Sequence, residues 1–263
     1  MRVGRALRKP VVQSKSGIIQ GGYEAGLPYD SPMSIQAGIQ HALERIEVAR
    51  TQYGASQKVA LELAVKTRSA EECAQAARLL KDLGQPILLG HNRVQEARDT
   101  VDAIRSVEGS HVHLIGPLQS NKINQALACV DLIESLDSVA LAAKIDQRLS
   151  TSLPVFIEVN VSGEDTKHGC QPAGVDSVVE AVVRSEHLKL SGFMTVGLNS
   201  PVEADVRSAY ALLREIRDRI GVSYAMSKLE LSMGMSNDLH WAIAEGATIV
   251  RVGTAVFGAR NLG

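Results

Sequence analysis

Lys66 carries the most pointed chemistry in this chain. It follows Leu63-Ala64-Val65 directly, at the end of an apolar run that reads as a buried strand. An amine in that place is costly to desolvate unless it is paired or uncharged. A desolvated, neutral amine is also the group that condenses with carbonyl compounds. A strand-end lysine in a salt bridge is the other reading, and position alone leaves both open. The second signal lies near the C-terminus. Ser232-Met233-Gly234-Met235-Ser236 runs into Asn237-Asp238 and a helical pattern, and Arg251-Val252-Gly253-Thr254 lies within or at the exit of the last apolar run. Small residues let a backbone approach a ligand closely, and free N–H groups at a helix start suit a phosphate. Glycines alone would equally serve close packing. A ligand bearing both an aldehyde and a phosphate would satisfy the lysine and the cradle together.

Other polar groups fall in loops. Asn92, after His91, is placed to hydrogen-bond a ring hydroxyl, while segments 116–122 and 163–169 are rich in polar residues. Lys167 and His168 read as solvated loop residues or as anion contacts. His111 and His113 alternate along one run, and with no carboxylate or cysteine at ligand spacing no metal site is expected. Cys73, Cys129 and Cys170 are far apart and form no CxxC pair. They read as small buried hydrophobes in a reducing, cytoplasmic setting.

These groups need a scaffold. Eight short apolar runs, at 59–65, 86–90, 111–116, 132–136, 154–161, 188–196, 228–233 and 248–257, alternate with segments of helical periodicity. Ser69 with Glu72 is a capping box, and Gly84 sits where a helix C-cap glycine belongs. Ser138, Ser200-Pro201 and Ser236 read as further helix openings. Ser31-Pro32 opens an earlier helix whose apolar residues Ile35, Ile39, Leu43, Ile46 and Ala49 recur to about Tyr53. Eight βα units with short connections predict an α/β chain folded as a single (β/α)8 TIM-type barrel. Its active face lies at the C-terminal ends of the strands. The last run leaves little room for an eighth outer helix, a gap that the early helix would cover.

Composition agrees. Of 263 residues, 45% are hydrophobic but only 3% aromatic, so the core rests on Val, Ile, Leu and Ala, as in parallel barrels. The net charge of -1 gives no electrostatic case for a nucleic-acid or membrane partner. Residues 1–31 carry Arg2, Arg5, Arg8, Lys9 and Lys15 with no acid before Glu24 and no long apolar stretch. They read as a flexible basic extension ahead of a barrel domain at 32–263.

The motifs together resemble the pyridoxal phosphate homeostasis proteins. The resemblance rests on Ala64-Val65-Lys66-Thr67, Asn92 with Val94-Gln95-Glu96, and the stretch from His113 through Gly116-Pro117-Leu118 to Lys122. It continues through Val159-Asn160-Val161-Ser162-Gly163-Glu164, Thr166-Lys167-His168-Gly169 and Gly192-Phe193-Met194-Thr195. Leu231-Ser232-Met233-Gly234-Met235-Ser236 and Val250-Arg251-Val252-Gly253-Thr254-Ala255 close the series. Two positions depart from the usual pattern: Val65 stands where Ser or Thr precedes the lysine, and His91 stands where Glu precedes the asparagine.

The resemblance implies a barrel like that of alanine racemase and bound pyridoxal 5'-phosphate. Lys66 would form the Schiff base, and Ser236 with the backbone of Gly253 and Thr254 would hold the phosphate. Arg251 would face the pyridine nitrogen, with Asn92, Met194 and Met233 as ring neighbours. A permanent cation at that nitrogen disfavours its protonation and makes the ring a poorer electron sink. Racemases supply a catalytic Tyr from a separate β domain, and the sequence ends soon after the last run. A carrier or buffer of pyridoxal phosphate is therefore expected, with PLP-requiring apoenzymes as recipients and a monomer or weak homodimer as the assembly. The enzyme alternative is a PLP-dependent amino-acid racemase. A class I aldolase with Lys66 on a phosphosugar is a further alternative. An interaction module explains neither the lysine nor the cradle.

Overall fold

The computed structural model describes residues 34–164 and 166–258. The basic stretch 1–31, and with it the Ser31-Pro32 helix opening, lies outside them. The first described helix, α1 (Ile35–Tyr53), is instead capped by Ser34, whose side chain accepts a hydrogen bond from the Ala37 backbone N–H. Ile39, Ala42, Ile46 and Ala49 form its buried face, and Gly54 ends it in the left-handed region at φ 62°.

Eight parallel strands then close on one another in sequence order. They are β1 (Ala60–Ala64), β2 (Ile87–His91), β3 (Ser110–Leu114), β4 (Leu132–Leu136), β5 (Leu153–Glu158), β6 (Leu188–Met194), β7 (Glu230–Ser232) and β8 (Ile249–Val252). Between them run α2 (Ala70–Asp82), α3 (Val94–Arg105), α4 (Ile123–Leu127), α5 (Val139–Asp146), α6 (Val175–Arg184), α7 (Glu203–Ser223) and α8 (Leu239–Ala244), and α9 (Thr254–Phe257) follows β8. This is the expected (β/α)8 barrel. The early helix also does what the gap required, because α1 packs on α8 and α9. A Cβ on Gly38 would come within 2.6 Å of the Val256 Cα, so only glycine permits that approach.

Three local readings need correction. The run 248–257 is not one strand: β8 stops at Val252, Gly253 breaks the extended path, and Thr254 begins a short helix. Ser200 caps nothing in α7; its hydroxyl accepts from the Val202 N–H one residue before the helix starts. Ser236 likewise sits three residues ahead of α8, whose N-cap is Asp238. Side-chain capping was read correctly at Ser69, where the box with Glu72 forms, and at Ser138.

Alternation along the strands divides the buried interior. Leu61, Leu63, Val112, Leu114, Ile133 and Val250 join the large apolar layer between strands and helices. The opposite faces point into the barrel. There Ala60, Leu132, Phe156, Met194 and Ile249 make a small apolar cluster, and Glu62, His113, Glu134 and Arg251 are buried as well. A TIM-type interior filled partly with charge is costly unless the charges compensate one another.

Candidate functional site

The C-terminal ends of the strands surround a cavity of about 570 Å³. Lys66, Asn92, Ser236, Arg251, Gly253 and Thr254 all line it, so six of the eight residues singled out in the sequence converge. The other two do not reach its wall. Met194 is fully buried with Phe156 and Ile249 in the barrel interior, and Met233 is fully buried in the strand–helix layer. Met233 is turned away by strand alternation, whereas Met194 points inward but lies below the cavity. Apolar wall is supplied instead by Ile115 and Val196.

Lys66 is presented by a strained turn. Val65 extends the β1 ladder by donating its N–H to the Gly90 carbonyl at 3.0 Å, and the Arg68 N–H returns to the Val65 carbonyl at 3.1 Å. Thr67 between them adopts φ 62°, a conformation that a β-branched residue takes only under constraint. Such strain costs about 1–3 kcal/mol and collects at functional sites. The turn sets Lys66 half-buried in the cavity wall. Among the described residues it has neither an ion-pair nor a hydrogen-bond partner. The salt-bridge reading of this lysine therefore finds no support there. The second lysine of the cavity is different: Lys167 Nζ is tied to the Gly197 carbonyl at 2.5 Å and to Glu164 Oε1 at 2.8 Å. His168 is exposed and off the wall.

Arg251 comes up from β8 and is 5% exposed. Its guanidinium donates to Ser232 Oγ and to the Thr195 carbonyl, each at 2.6 Å. Two neighbouring strands thereby fix a permanent cation in the cavity floor. On the far rim Ser236 is half-buried, and its carbonyl accepts from Arg45 of α1 at 2.6 Å. Asp238 accepts from the Met235 N–H and from the Tyr210 hydroxyl, fixing the loop that carries Ser236. At Gly253 a Cβ would lie 2.9 Å from the Ala64 carbonyl, so the missing side chain keeps β1 and the β8 exit in contact. At the Asn92 loop, a Cβ on Gly116 would lie only 2.2 Å from the Asn92 carbonyl oxygen.

Sequence reasoning missed several neighbours. Arg68 lines the cavity and reaches the Phe257 carbonyl at 3.4 Å, stacking over that ring at 5.6 Å. Its place two residues after Lys66 was a readable signal; Arg45, far away on α1, gave none. The premise used to dismiss metal ligands also fails. Glu62 of β1 and Glu134 of β4 bring carboxylate oxygens to 3.0 and 2.9 Å of His113 Nδ1, and the three donor atoms lie within 4.8 Å of one another. Burial would lower the His113 pKa, but its hydrogen bonds to the two carboxylates, and their charge, push it up to about 10. His113 and Arg251 thus place positive charge beside the two carboxylates. The sequence signal was a single acid inside each apolar run, at Leu61-Glu62-Leu63 and Ile133-Glu134-Ser135.

Comparison with known proteins decides the family. Residues 40–261 match the family described as alanine racemase, N-terminal domain. The chain belongs to that family. Within it, the chain is 35% identical to the pyridoxal phosphate homeostasis protein of Vibrio cholerae over 238 residues, covering 87% of this chain and 97% of that one. The Escherichia coli protein of the same name is 35% identical over 230 residues, 83% and 93% of the two chains. Among solved structures, PipY of Synechococcus elongatus with PLP bound superposes with a TM-score of 0.72 at 28% identity, covering 86% of this chain and all of that one. Alanine racemase of Clostridium difficile shares the fold at a TM-score of 0.60 and 16% identity, with 57% of its chain covered.

Proposed function

We propose that this protein binds pyridoxal 5'-phosphate on Lys66 and carries or buffers it, taking part in intracellular vitamin B6 homeostasis. The observation that carries the reading is the unpaired Lys66 amine in the same cavity as the fixed Arg251 cation and the Ser236–Gly253 rim. The residues present fit such a group. Lys66 Nζ would hold its aldehyde carbon, Arg251 would face the ring nitrogen, and Asn92 would meet the ring hydroxyl. The Ser236 hydroxyl, with the Gly253 and Thr254 backbone, would receive the phosphate, and Arg45 adds positive charge behind Ser236. When bound, pyridoxal phosphate supplies an electrophilic carbonyl and an electron-withdrawing ring.

The names and PLP-bound structure of the relatives support the carrier reading, as does the fixed positive charge of Arg251, which disfavours protonation of a nearby ring nitrogen. Delivery to PLP-requiring apoenzymes, a cytoplasmic location and a monomer or weak homodimer belong to the same proposal. No helix among the described residues is long and apolar enough to cross a membrane.

The test is uptake of pyridoxal phosphate by the purified full chain, followed by visible absorbance, and then exposure to common amino acids in heavy water. The proposal expects a yellow protein that leaves the α-hydrogens in place. Isotope exchange at an α-carbon would instead establish the racemase alternative, and a protein that stays colourless would overturn the binding itself.

A further inference from the structure

Beneath the cavity floor the barrel holds charge that the proposed binding does not use. Glu134 is fully buried, and its Oε2 lies 4.0 Å from Arg251 while lacking a hydrogen-bond partner among the described residues. Its other oxygen, Oε1, is 2.9 Å from His113 Nδ1. Glu62, also fully buried, holds Oε1 3.0 Å from the same histidine nitrogen, while its Oε2 lacks a hydrogen-bond partner among the described residues. The histidine in turn lines a second opening at the N-terminal end of the barrel, a cavity of about 440 Å³ beside Lys58, Asp131 and Glu230. A buried arginine bonded only to a hydroxyl and a carbonyl has no charge partner in direct contact, and a carboxylate at 4 Å is strongly felt in so poorly hydrated a place.

We infer that Glu134, held ionised by His113, is the buried counter-charge that positions Arg251 and sets the electrostatic field at the ring end of the upper cavity. This inference rests on the proposed pyridoxal phosphate binding. Burial favours the neutral form of Glu134, but the hydrogen bond from His113 and the charges of His113 and Arg251 hold its carboxyl below the usual range. Burial and the Glu134 charge push the Glu62 carboxyl the other way, above the usual range, against the opposing pull of His113 and Arg251. The titratable groups that feel the Arg251 charge are Glu62 on β1, Glu134 on β4, Glu158 on β5 and Tyr210 on α7, with His113 on β3 behind the first two. A divalent metal in this nest would add two positive charges beside the Arg251 cation, which the geometry does not favour.

The experiment compares the full chain with its Glu134→Gln and Glu62→Gln/Glu134→Gln variants after loading with pyridoxal 5'-phosphate. What is read is the pH midpoint of the visible band of the Lys66 adduct. Loss of a negative charge below Arg251 disfavours the protonated adduct, so the midpoint should fall. In the single variant the Glu134 charge that opposes ionisation of Glu62 is gone, so Glu62 beside His113 compensates in part. The double variant should therefore shift further, by about half a unit to one unit. A fold-matched double variant with the parent's midpoint would overturn the inference.

A parent that shows no band at all would instead overturn the binding proposal. The inference would then be decided on the unloaded chain, by nitrogen-15 spectra of its histidines. His113 doubly protonated at pH 8 in the parent, and losing a proton there in the double variant, supports the counter-charge; a neutral His113 in the parent refutes it. A midpoint that moves only on addition of zinc or another divalent cation would also refute it, in favour of a metal.

Discussion

His113 Nδ1 on β3 lies 2.9 Å from Glu134 Oε1 on β4, and both side chains are shut inside the barrel. The two strands are register neighbours, with His113 opposite Leu132, so the pair is built into the sheet rather than gathered by a loop. Its energetic consequence is a pH dependence. The folded pKa of about 10 exceeds the ordinary 6.5, so the folded chain binds this proton more tightly than the unfolded one. The stabilisation is complete below about pH 6.5 and is lost as pH rises through about 10. Urea unfolding at pH 6.5, 8.5 and 10.5 should show a loss on the order of 4 kcal/mol. His113→Gln should lack that decline.

Glu158, at the end of β5, supplies the second pH effect. Burial pushes its carboxyl up to about 7; the charge of Arg251 opposes the shift, and Asp137 and Glu134 add to it. Its contribution to stability is present below about pH 4.5 and disappears as pH rises through about 7. Glu158→Gln should be more stable than the parent at pH 8, by up to about 3 kcal/mol. Equal melting at pH 8 and pH 5 in the parent would contradict this.

Thr67 occupies φ 62° beside Lys66. Thr67→Gly should relieve strain that exceeds the added backbone entropy, raising stability by about 1 kcal/mol. Thr67→Val keeps the β-branch and should give no such gain. Thermal unfolding of the three proteins checks the ordering.

Gly116 touches the site through the backbone of Asn92. Gly116→Ala must push that loop aside, at a cost of about 1–3 kcal/mol. Because Asn92 lines the cavity, uptake of pyridoxal phosphate should weaken as well. Denaturation and binding measured on one preparation separate the two effects.

Much of this was legible in the chain. Strands buried on both faces leave continuous apolar runs, so all eight were readable, and short connections implied closure. The Ser69 and Ser138 caps were visible because their partners lie only three residues away. The Glu62–His113–Glu134 cluster was not: its members come from three strands, and only barrel closure brings them together. Thr67 was equally hidden, since its positive φ is imposed by the ladder bond at Val65 and the return bond at Arg68. Met233 falls on the outer face of its strand and Met194 lies inward but deeper than the cavity, so neither lines it. Residue type and run position were enough to bring Lys66, Arg251 and Ser236 to the cavity wall, whereas the depth of Met194 and the face of Met233 had to be seen.

The most direct test of the central claim is borohydride reduction of the pyridoxal phosphate-loaded protein, followed by peptide mapping. Two lysines line the cavity, and only Lys66 lacks a partner among the described residues. The account predicts one reduced adduct, on the peptide carrying Lys66, and none on Lys66→Ala. An adduct on Lys167, or the same yield on Lys66→Ala, would contradict it.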